Sequence, residues 1–204
     1  MQFEHLAMKH NLPKLEFLIC MIQYTKNQTT RKCDKIQMKI TLLTHSKEVH
    51  KKSNTGRLVL ELLGKAAEQI IWNRQEASQK LLDEIAIGKT ALVYPGTSDE
   101  DSYDLGNINH FILIDSTWHE ARKIHQRSPY LQQVRRISLK PTGKSRYNLR
   151  KNQRESGLCT AECVIEILRS TGNTDIAVQL EEQFLNYMRP ATAVRPKTVN
   201  SLSL

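Results

Sequence analysis

The sequence predicts an α/β protein whose mainly parallel sheet is covered by helices on both faces. The first observation is that short apolar segments alternate with amphipathic segments from about residue 36 to residue 188. The second is that 204 residues with 39% hydrophobic content suffice for one well-formed core. We therefore expect a lead-in at 1–35, one domain at 36–188 and a loose tail at 189–204.

Hydrophobic periodicity predicts the individual elements. Ile36, Met38, Ile40 and Leu42 alternate with polar residues, which is typical of a half-buried strand. The other expected elements, in chain order, are a helix at about 12–24, a polar loop at 45–54, a helix at about 57–67, a strand at 69–72, a helix at 78–87 ending at Gly88, strands at 90–94 and 111–114, a helix from 118 ending before Ser128, a strand at 134–139, a basic segment at 141–157, a helix at 160–170 ending at Gly172, and a helix at 175–188.

The most informative turn is Asp115-Ser116-Thr117-Trp118, directly after the apolar strand at 111–114. Thr117 is expected to cap the following helix, with Glu120 as its capping-box partner. Asp115 is then placed at the carboxyl edge of a strand, where open α/β sheets bind their ligands. A carboxylate at that edge is suited to taking up a proton or to orienting a substrate.

Three other segments are expected at the same edge, at positions 53–57, 94–96 and 158–162. Two of them open helices, and helix N-termini present N–H groups that suit a carboxylate or a phosphate. Asn54 and Thr160 would each be explained as simple helix caps if they stood alone. The prediction of a site rests on several such turns in one chain.

Positive charge is concentrated after Asp115. The chain has a net charge of +9, yet residues 118–154 contain one acid, Glu120, against eleven basic residues. Those residues are Arg122, Lys123, Arg127, Arg135, Arg136, Lys140, Lys144, Arg146, Arg150, Lys151 and Arg154. A solvated basic surface is one explanation. Contacts with nucleic-acid phosphates explain the asymmetry better, and a membrane surface fits less well because the residues are spread over loops and strands.

The cysteines predict neither a redox site nor a metal. Cys20, Cys33, Cys159 and Cys163 form no C-x-x-C pair, so no zinc ribbon or thioredoxin-type site is expected. Cys159 and Cys163 are four residues apart, as expected of small buried residues on one helix face. We expect a cytoplasmic, reduced protein without a signal peptide or membrane span.

Several motifs together resemble the DTW-domain family of tRNA-uridine aminocarboxypropyltransferases. The Asp-x-Thr-Trp motif is matched by Asp115, Thr117 and Trp118, and Glu120-Ala121-Arg122-Lys123 and Ser128-Pro129-Tyr130-Leu131 continue the likeness. Upstream, His45, Glu48 and the run Lys51-Lys52-Ser53-Asn54-Thr55-Gly56-Arg57-Leu58 match a second motif, and Cys159-Thr160-Ala161-Glu162 matches a third. Many members also carry an N-terminal cysteine cluster that looks like a zinc site. Only Cys20 and Cys33 remain here, so no zinc is expected.

The resemblance implies a SPOUT-like fold with a C-terminal trefoil knot. It also implies transfer of the 3-amino-3-carboxypropyl group of S-adenosylmethionine to a ring nitrogen of a tRNA uridine, with release of methylthioadenosine. The expected catalytic residues are Asp115, Thr117 and Trp118. The expected donor-binding residues are Tyr94, Pro95, Gly96, Asp115, Trp118, Leu139, Thr160 and Glu162. The expected RNA contacts are Asn54, Arg57, Arg122, Lys123, Lys144, Arg146, Arg150 and Lys151.

Alternatives remain open at this point. Asp115 would act as a general base or as an orienting group, and Trp118 would stack on a base or belong to the core. An S-adenosylmethionine-dependent RNA methyltransferase would use the same donor, and a non-catalytic RNA-binding protein would explain the basic segment alone. The sequence does not determine which uridine is modified. Nor does it determine the oligomeric state, for which a monomer is slightly favoured.

Overall fold

The central structure is a five-stranded, all-parallel sheet with the strand order β2-β1-β4-β3-β5. It is seen in a computed structural model that describes residues 36–95, 105, 107–139, 145–147 and 157–189. The strands are β1 (Lys39–Thr44), β2 (Ala67–Ile71), β3 (Thr90–Val93), β4 (His110–Asp115) and β5 (Arg135–Ile137). The helices are α1 (Gly56–Leu63), α2 (Gln79–Ala86), α3 (Trp118–Gln126), α4 (Pro129–Gln132), α5 (Thr160–Ser170) and α6 (Thr174–Met188).

Helices cover both faces of the sheet, as predicted. Ile40, Leu42 and Phe111 belong to a core with α1, α5 and α6. The alternate strand residues Leu43 and Ile112 belong to a second core with α2, α3 and α4. Successive side chains of a strand point to opposite faces, so β1 and β4 each contribute to both cores.

The first strand is buried more fully than predicted. Met38, Ile40 and Leu42 do share one face, but Thr41 on the opposite face is 0% exposed, so β1 is not half-buried. Thr41 is accommodated there because it bonds to a polar residue of the neighbouring strand β4: its Oγ1 lies 2.8 Å from His110 Nε2, and Thr90 Oγ1 of β3 lies 3.0 Å from His110 Nδ1.

Several predicted boundaries also need correction. The helix expected at 57–67 starts at Gly56 and ends at Leu63, because Gly64 takes a φ of +52° and a 3-10 turn, Gly64–Ala66, follows. The strand expected at 134–139 is only Arg135–Ile137. The short helix α4 was not predicted; it starts at Pro129, a residue that suits the first helical position.

Parts of the prediction lie outside the described residues, namely the helix at 12–24, the tail from 190 and most of the basic segment at 141–157.

Gly88 and Gly172 end their helices with φ values of +79° and +77°, as expected of C-cap glycines. Among the helices of the described chain, none is long and apolar enough to cross a membrane.

Candidate active site at the carboxyl edge of the sheet

Asp115 is the last residue of the central strand β4, and its side chain is the centre of a buried hydrogen-bond cluster. The residue is 2% exposed. Its Oδ2 accepts hydrogen bonds from Asn54 Nδ2 at 2.8 Å and from Thr44 Oγ1 at 3.2 Å. Its Oδ1 accepts one from Thr160 Oγ1 at 2.8 Å. The buried carboxylate is thus compensated by three donors, without which its burial would be costly.

The fold brings these donors together from three separate segments. Thr44 ends β1 and pairs in register with Asp115. Asn54 lies two residues before α1, and Thr160 is the first residue of α5. The carboxylate therefore lies where two helices begin, and the positive ends of both helix dipoles favour a negative charge there.

Asn54 belongs to this cluster and not to the protein surface. It is 4% exposed. Its Nδ2 also donates to the Glu48 carbonyl at 3.0 Å, and its Oδ1 accepts from the Gly56 N–H at 2.6 Å. The direct RNA contact stays a prediction; in this structure the Asn54 side chain is buried and its amide bonds to the protein. It positions Asp115 and the loop that contains Glu48.

Gly56 is required by the same close packing. A Cβ at this position would lie 2.9 Å from Asn54 Oδ1, 3.0 Å from Asp115 Oδ2 and 3.0 Å from Leu42 Cδ1. Any other side chain would push on the atoms that hold the carboxylate. Since α1 begins at this glycine, the helix can start directly beside Asp115.

Thr55 and Glu162 fix the first turn of α5. The Ala161 N–H donates to Thr55 Oγ1 at 3.2 Å, so α1 and α5 begin side by side. Glu162 accepts from the Cys159 N–H at 2.9 Å, which completes a capping box. Glu162 also accepts from Ser145 Oγ and the Arg146 N–H, both at 2.7 Å. Predicted as a donor-binding residue, Glu162 holds segment 145–147 against α5.

An aromatic group lies at the same carboxyl edge of the sheet as Asp115. Tyr94, directly after β3, stacks on His125 at 4.5 Å between ring centroids with an interplanar angle of 12°. Trp118, the first residue of α3, lies 5.8 Å from Tyr94 at a tilt of 49°. Thr117 caps α3 by accepting from the Glu120 N–H at 3.4 Å, as predicted, whereas the Glu120 carboxylate, expected to complete a capping box, lies 3.6 Å from both His45 and Lys123. Burial, together with the positive charge of Arg136, lowers the pKa of His125.

Pro95, Leu139 and Gly96 were also predicted to bind the donor. Pro95 is exposed and follows Tyr94 directly. Leu139 is half-buried and packs against the core of α1, α5 and α6. Gly96 lies outside the described residues.

The residues predicted to contact RNA differ in their surroundings. Arg122 is exposed on α3, whereas Lys123 lies 3.6 Å from Glu120. The Arg57 guanidinium lies 4.8 Å from the centre of the Tyr187 ring, and Arg146 pairs with Glu181 at 3.1 Å. The positions outside the described residues are Lys144, Arg150 and Lys151.

Nothing in the described segments gathers three or more metal-ligating His, Cys, Asp or Glu side chains. Cys159 and Cys163 are free thiols. Burial, reinforced by the Glu162 carboxylate, raises the pKa of Cys159 to about 12. Burial and the neighbouring Cys159 raise the pKa of Cys163 as well. These thiols are therefore protonated near neutral pH and poorly suited as nucleophiles.

Sequence reasoning assigned no function to Thr44, Thr55, Gly56 and His125. Thr55 and Gly56 belong to the second family motif, and the segment 53–57 that contains them was expected at the same edge of the sheet as Asp115. Thr44 gives a weaker signal, because it is one of several polar residues at the end of a strand. Nothing in the sequence indicates that His125 stacks on Tyr94, 31 residues earlier in the chain.

This is an α/β protein whose candidate site consists of one buried aspartate and the residues around it, which lie at the end of β1 and at the starts of α1 and α5. A family model for the DTW domain matches residues 16–192, and the chain belongs to the DTW-domain family. Over 147 residues it is 29% identical to tRNA-uridine aminocarboxypropyltransferase 2 of Drosophila melanogaster. That alignment covers 65% of this chain and 56% of the relative, so the chain spans little more than half the length of that protein. No solved structure matches it significantly.

Proposed function

We propose that this protein transfers the 3-amino-3-carboxypropyl group of S-adenosylmethionine to a ring nitrogen of a tRNA uridine and releases methylthioadenosine. One observation carries the proposal: Asp115 of the Asp-x-Thr-Trp motif bonds directly to Asn54 and Thr160, which belong to the two other family motifs. Membership of the DTW-domain family and the name of the Drosophila relative support it.

Asp115 is proposed as an orienting and electrostatic group. The three hydrogen bonds it accepts use three of the roughly four acceptor positions of a carboxylate. One position remains for a donor on the substrate, such as an amino or imide N–H. The negative charge also favours a cation nearby, and the donor is a sulfonium. Taking up a proton would weaken all three bonds, which argues against a general-base role.

Tyr94 and Trp118 are proposed to bind the adenine of the donor. Their rings provide an aromatic surface at the edge of the sheet where Asp115 lies, and aromatic side chains stack on bases with about 1–3 kcal/mol each. Pro95, Gly96, Leu139 and Thr160 are proposed as further contacts of the donor. An anion beside an aromatic surface fits a positively charged nucleoside, so the residues present suit this substrate. As the nitrogen–carbon bond forms and the carbon–sulfur bond breaks, the imide proton passes to water. The protein then mainly has to hold the uridine nitrogen in line with the carbon under attack, and such positioning supplies about 7–11 kcal/mol.

Arg57, Arg122, Lys123, Lys144, Arg146, Arg150 and Lys151 are proposed to contact tRNA phosphates. A cytoplasmic location fits both this substrate and the free thiols Cys159 and Cys163.

We further propose a SPOUT-like fold with a C-terminal trefoil knot. The first turn of α5 is bonded to Asp115 and Thr55, so the C-terminal part of the chain does return to the centre of the sheet. A crystal structure of the protein would test the knot directly, through the path that the chain takes between β5 and α5.

The activity is tested by incubating unmodified tRNA with the protein and S-adenosylmethionine, followed by mass spectrometry of the nucleosides. The expected product is a uridine heavier by about 101 Da, the mass of the transferred chain in a nucleophilic displacement. Methylthioadenosine should accumulate in equal amount. Asp115→Asn is the matched variant, because an amide nitrogen at the Oδ1 position can donate to Thr160 while its oxygen still accepts from Asn54 and Thr44. The variant should fold and lose transfer.

Two results would contradict the proposal. Accumulation of S-adenosylhomocysteine with a methylated base would identify a methyltransferase. Binding of tRNA without binding of the donor in calorimetry would identify a non-catalytic RNA-binding protein. Unchanged turnover of Asp115→Asn would remove the charge of Asp115 from the mechanism.

A further inference from the structure

The loop between β1 and α1 contains a second group of positive charges. Lys47, Lys51 and Lys52 are exposed, and we define residues 47–52 as the lysine loop. Its one acid, Glu48, is 2% exposed and pairs with Lys51 at 2.6 Å. Within the described part of the chain, Lys47 and Lys52 make no ion pair. The loop therefore presents positive charge that nearby described carboxylates do not neutralise.

The lysine loop lies at the same edge of the sheet as Asp115. It follows Thr44, the last residue of β1, and the His45 N–H donates to the Asp115 carbonyl at 3.2 Å. At its other end, Asn54 bonds to both the Glu48 carbonyl and the Asp115 carboxylate. The loop is thus connected to the candidate site at both of its ends.

The backbone of the loop is held in one conformation. Three successive turns are closed by the N–H groups of Glu48, Lys51 and Asn54, with donor–acceptor distances of 2.8, 3.1 and 2.9 Å. Two tyrosines hold the loop from outside: the Tyr187 hydroxyl donates to the Lys52 carbonyl, and the Tyr147 hydroxyl donates to the Ser53 carbonyl at 2.6 Å. A fixed backbone reduces the entropy that a partner must remove on binding.

From this geometry we infer that the lysine loop binds the phosphate backbone of the RNA whose base enters the site beside Asp115, with Lys47 and Lys52 as the contacting residues. The inference rests on the proposed function for the identity of the RNA. A polyanion is the appropriate partner because binding to phosphates is dominated by positive charge. His45, just before the loop, lies 3.6 Å from Glu120 of α3, so the loop adjoins the helix that carries the exposed Arg122.

The test compares two double variants that remove the same charge. Lys47→Ala with Lys52→Ala alters the lysine loop. Lys65→Ala with Lys89→Ala removes two exposed lysines that precede β2 and β3, at the opposite edge of the sheet. Binding of unmodified tRNA is measured at several salt concentrations without S-adenosylmethionine. The loop variant should bind more weakly and reduce the slope of log K against log salt by about 1–2, the effect of one or two lost phosphate contacts. The control should keep the slope of the original protein.

Equal slopes for the two double variants would overturn the inference, because the effect would then depend on net charge alone. A loop variant that binds as the original protein does would also overturn it. The binding titration requires no transfer reaction, so this failure is distinct from failure of the proposed activity. A protein that binds RNA through the loop without modifying it would keep the inference and lose the proposed function.

Discussion

Replacing Gly56 with alanine tests whether close packing around Asp115 matters for activity. The new Cβ would lie 2.9–3.0 Å from Asn54 Oδ1, Asp115 Oδ2 and Leu42 Cδ1, where ordinary contacts are 3.4–4 Å. Each of these atoms belongs to a buried residue, so none can simply move into solvent. The start of α1, the Asn54 side-chain amide and the Asp115 carboxylate must therefore shift by several tenths of an ångström.

The expected cost follows from these contacts. Overpacking of a well-packed region costs about 1–3 kcal/mol. Alanine is preferred over glycine inside helices by up to about 1 kcal/mol, but Gly56 is only the first residue of α1. A net loss of about 1–2 kcal/mol in the free energy of unfolding is therefore expected for Gly56→Ala. Because a displacement of about 1 Å costs about 100-fold in rate, roughly a 10-fold fall in kcat is expected.

The assay combines chemical denaturation with a single-turnover transfer rate at saturating tRNA and S-adenosylmethionine. Gly88→Ala is the control. Gly88 has a φ of +79° and no atom within 4 Å of a Cβ, so alanine there is strained without touching the site. That strain costs about 1–2 kcal/mol, comparable to the loss at Gly56. If Gly56→Ala lost no more activity than Gly88→Ala, packing against the carboxylate would have no role in catalysis.

Three further predictions concern other parts of the fold. Tyr187→Phe removes the hydroxyl that holds the Lys52 carbonyl and should lower the free energy of unfolding by about 0.5–1.5 kcal/mol in denaturant titrations; no change would mean that water replaces this bond. Cys159 and Cys163 should resist alkylation by iodoacetamide at pH 8 until the protein unfolds, because burial raises the pKa of both thiols; peptide mapping that finds rapid native labelling of either would contradict this. Burial lowers the pKa of His110, although Glu84 opposes the shift, so the unfolded chain binds a proton more readily than the folded one. Stability should therefore be complete above about pH 6.5 and fall below it, and His110→Gln should remove that component of the pH dependence; identical curves for both proteins would be evidence against it.

The order of the elements could be predicted because their hydrophobic patterns are local. Asp115 was placed correctly at the end of a buried strand for the same reason: an apolar run precedes it and a capped helix follows. The strand order could not be predicted, since it depends on pairing between distant segments. The polar residue Thr41 also favoured a half-buried strand, and its hydrogen bonds with His110 and Glu68, both distant in the sequence, show how its hydroxyl is satisfied when that face is covered.

The hydrogen-bond partners of Asp115 could not be predicted from the sequence, for a related physical reason. Thr160 and Asn54 each have a local explanation as residues that begin a helix, and the sequence offers no means of choosing between that role and a bond to a distant carboxylate. The choice depends on burial. Because Asp115 is only 2% exposed in the folded protein, its charge requires hydrogen-bond donors. The residues at the starts of α1 and α5 lie close enough to supply them.

The candidate site is therefore a property of the complete fold and of no single segment. Thr44, Asn54 and Thr160 are separated from Asp115 by 71, 61 and 45 positions in the sequence. The carboxylate is fully compensated only when β1, α1 and α5 are all in place around β4, and local opening of any one of them leaves a buried charge short of a donor. Loss of one such donor costs about 1–3 kcal/mol, a considerable part of the stability of a small domain. Substitutions that loosen α5 or α6 should consequently reduce activity even when they touch neither substrate, because they act on the donors that hold the Asp115 carboxylate in place.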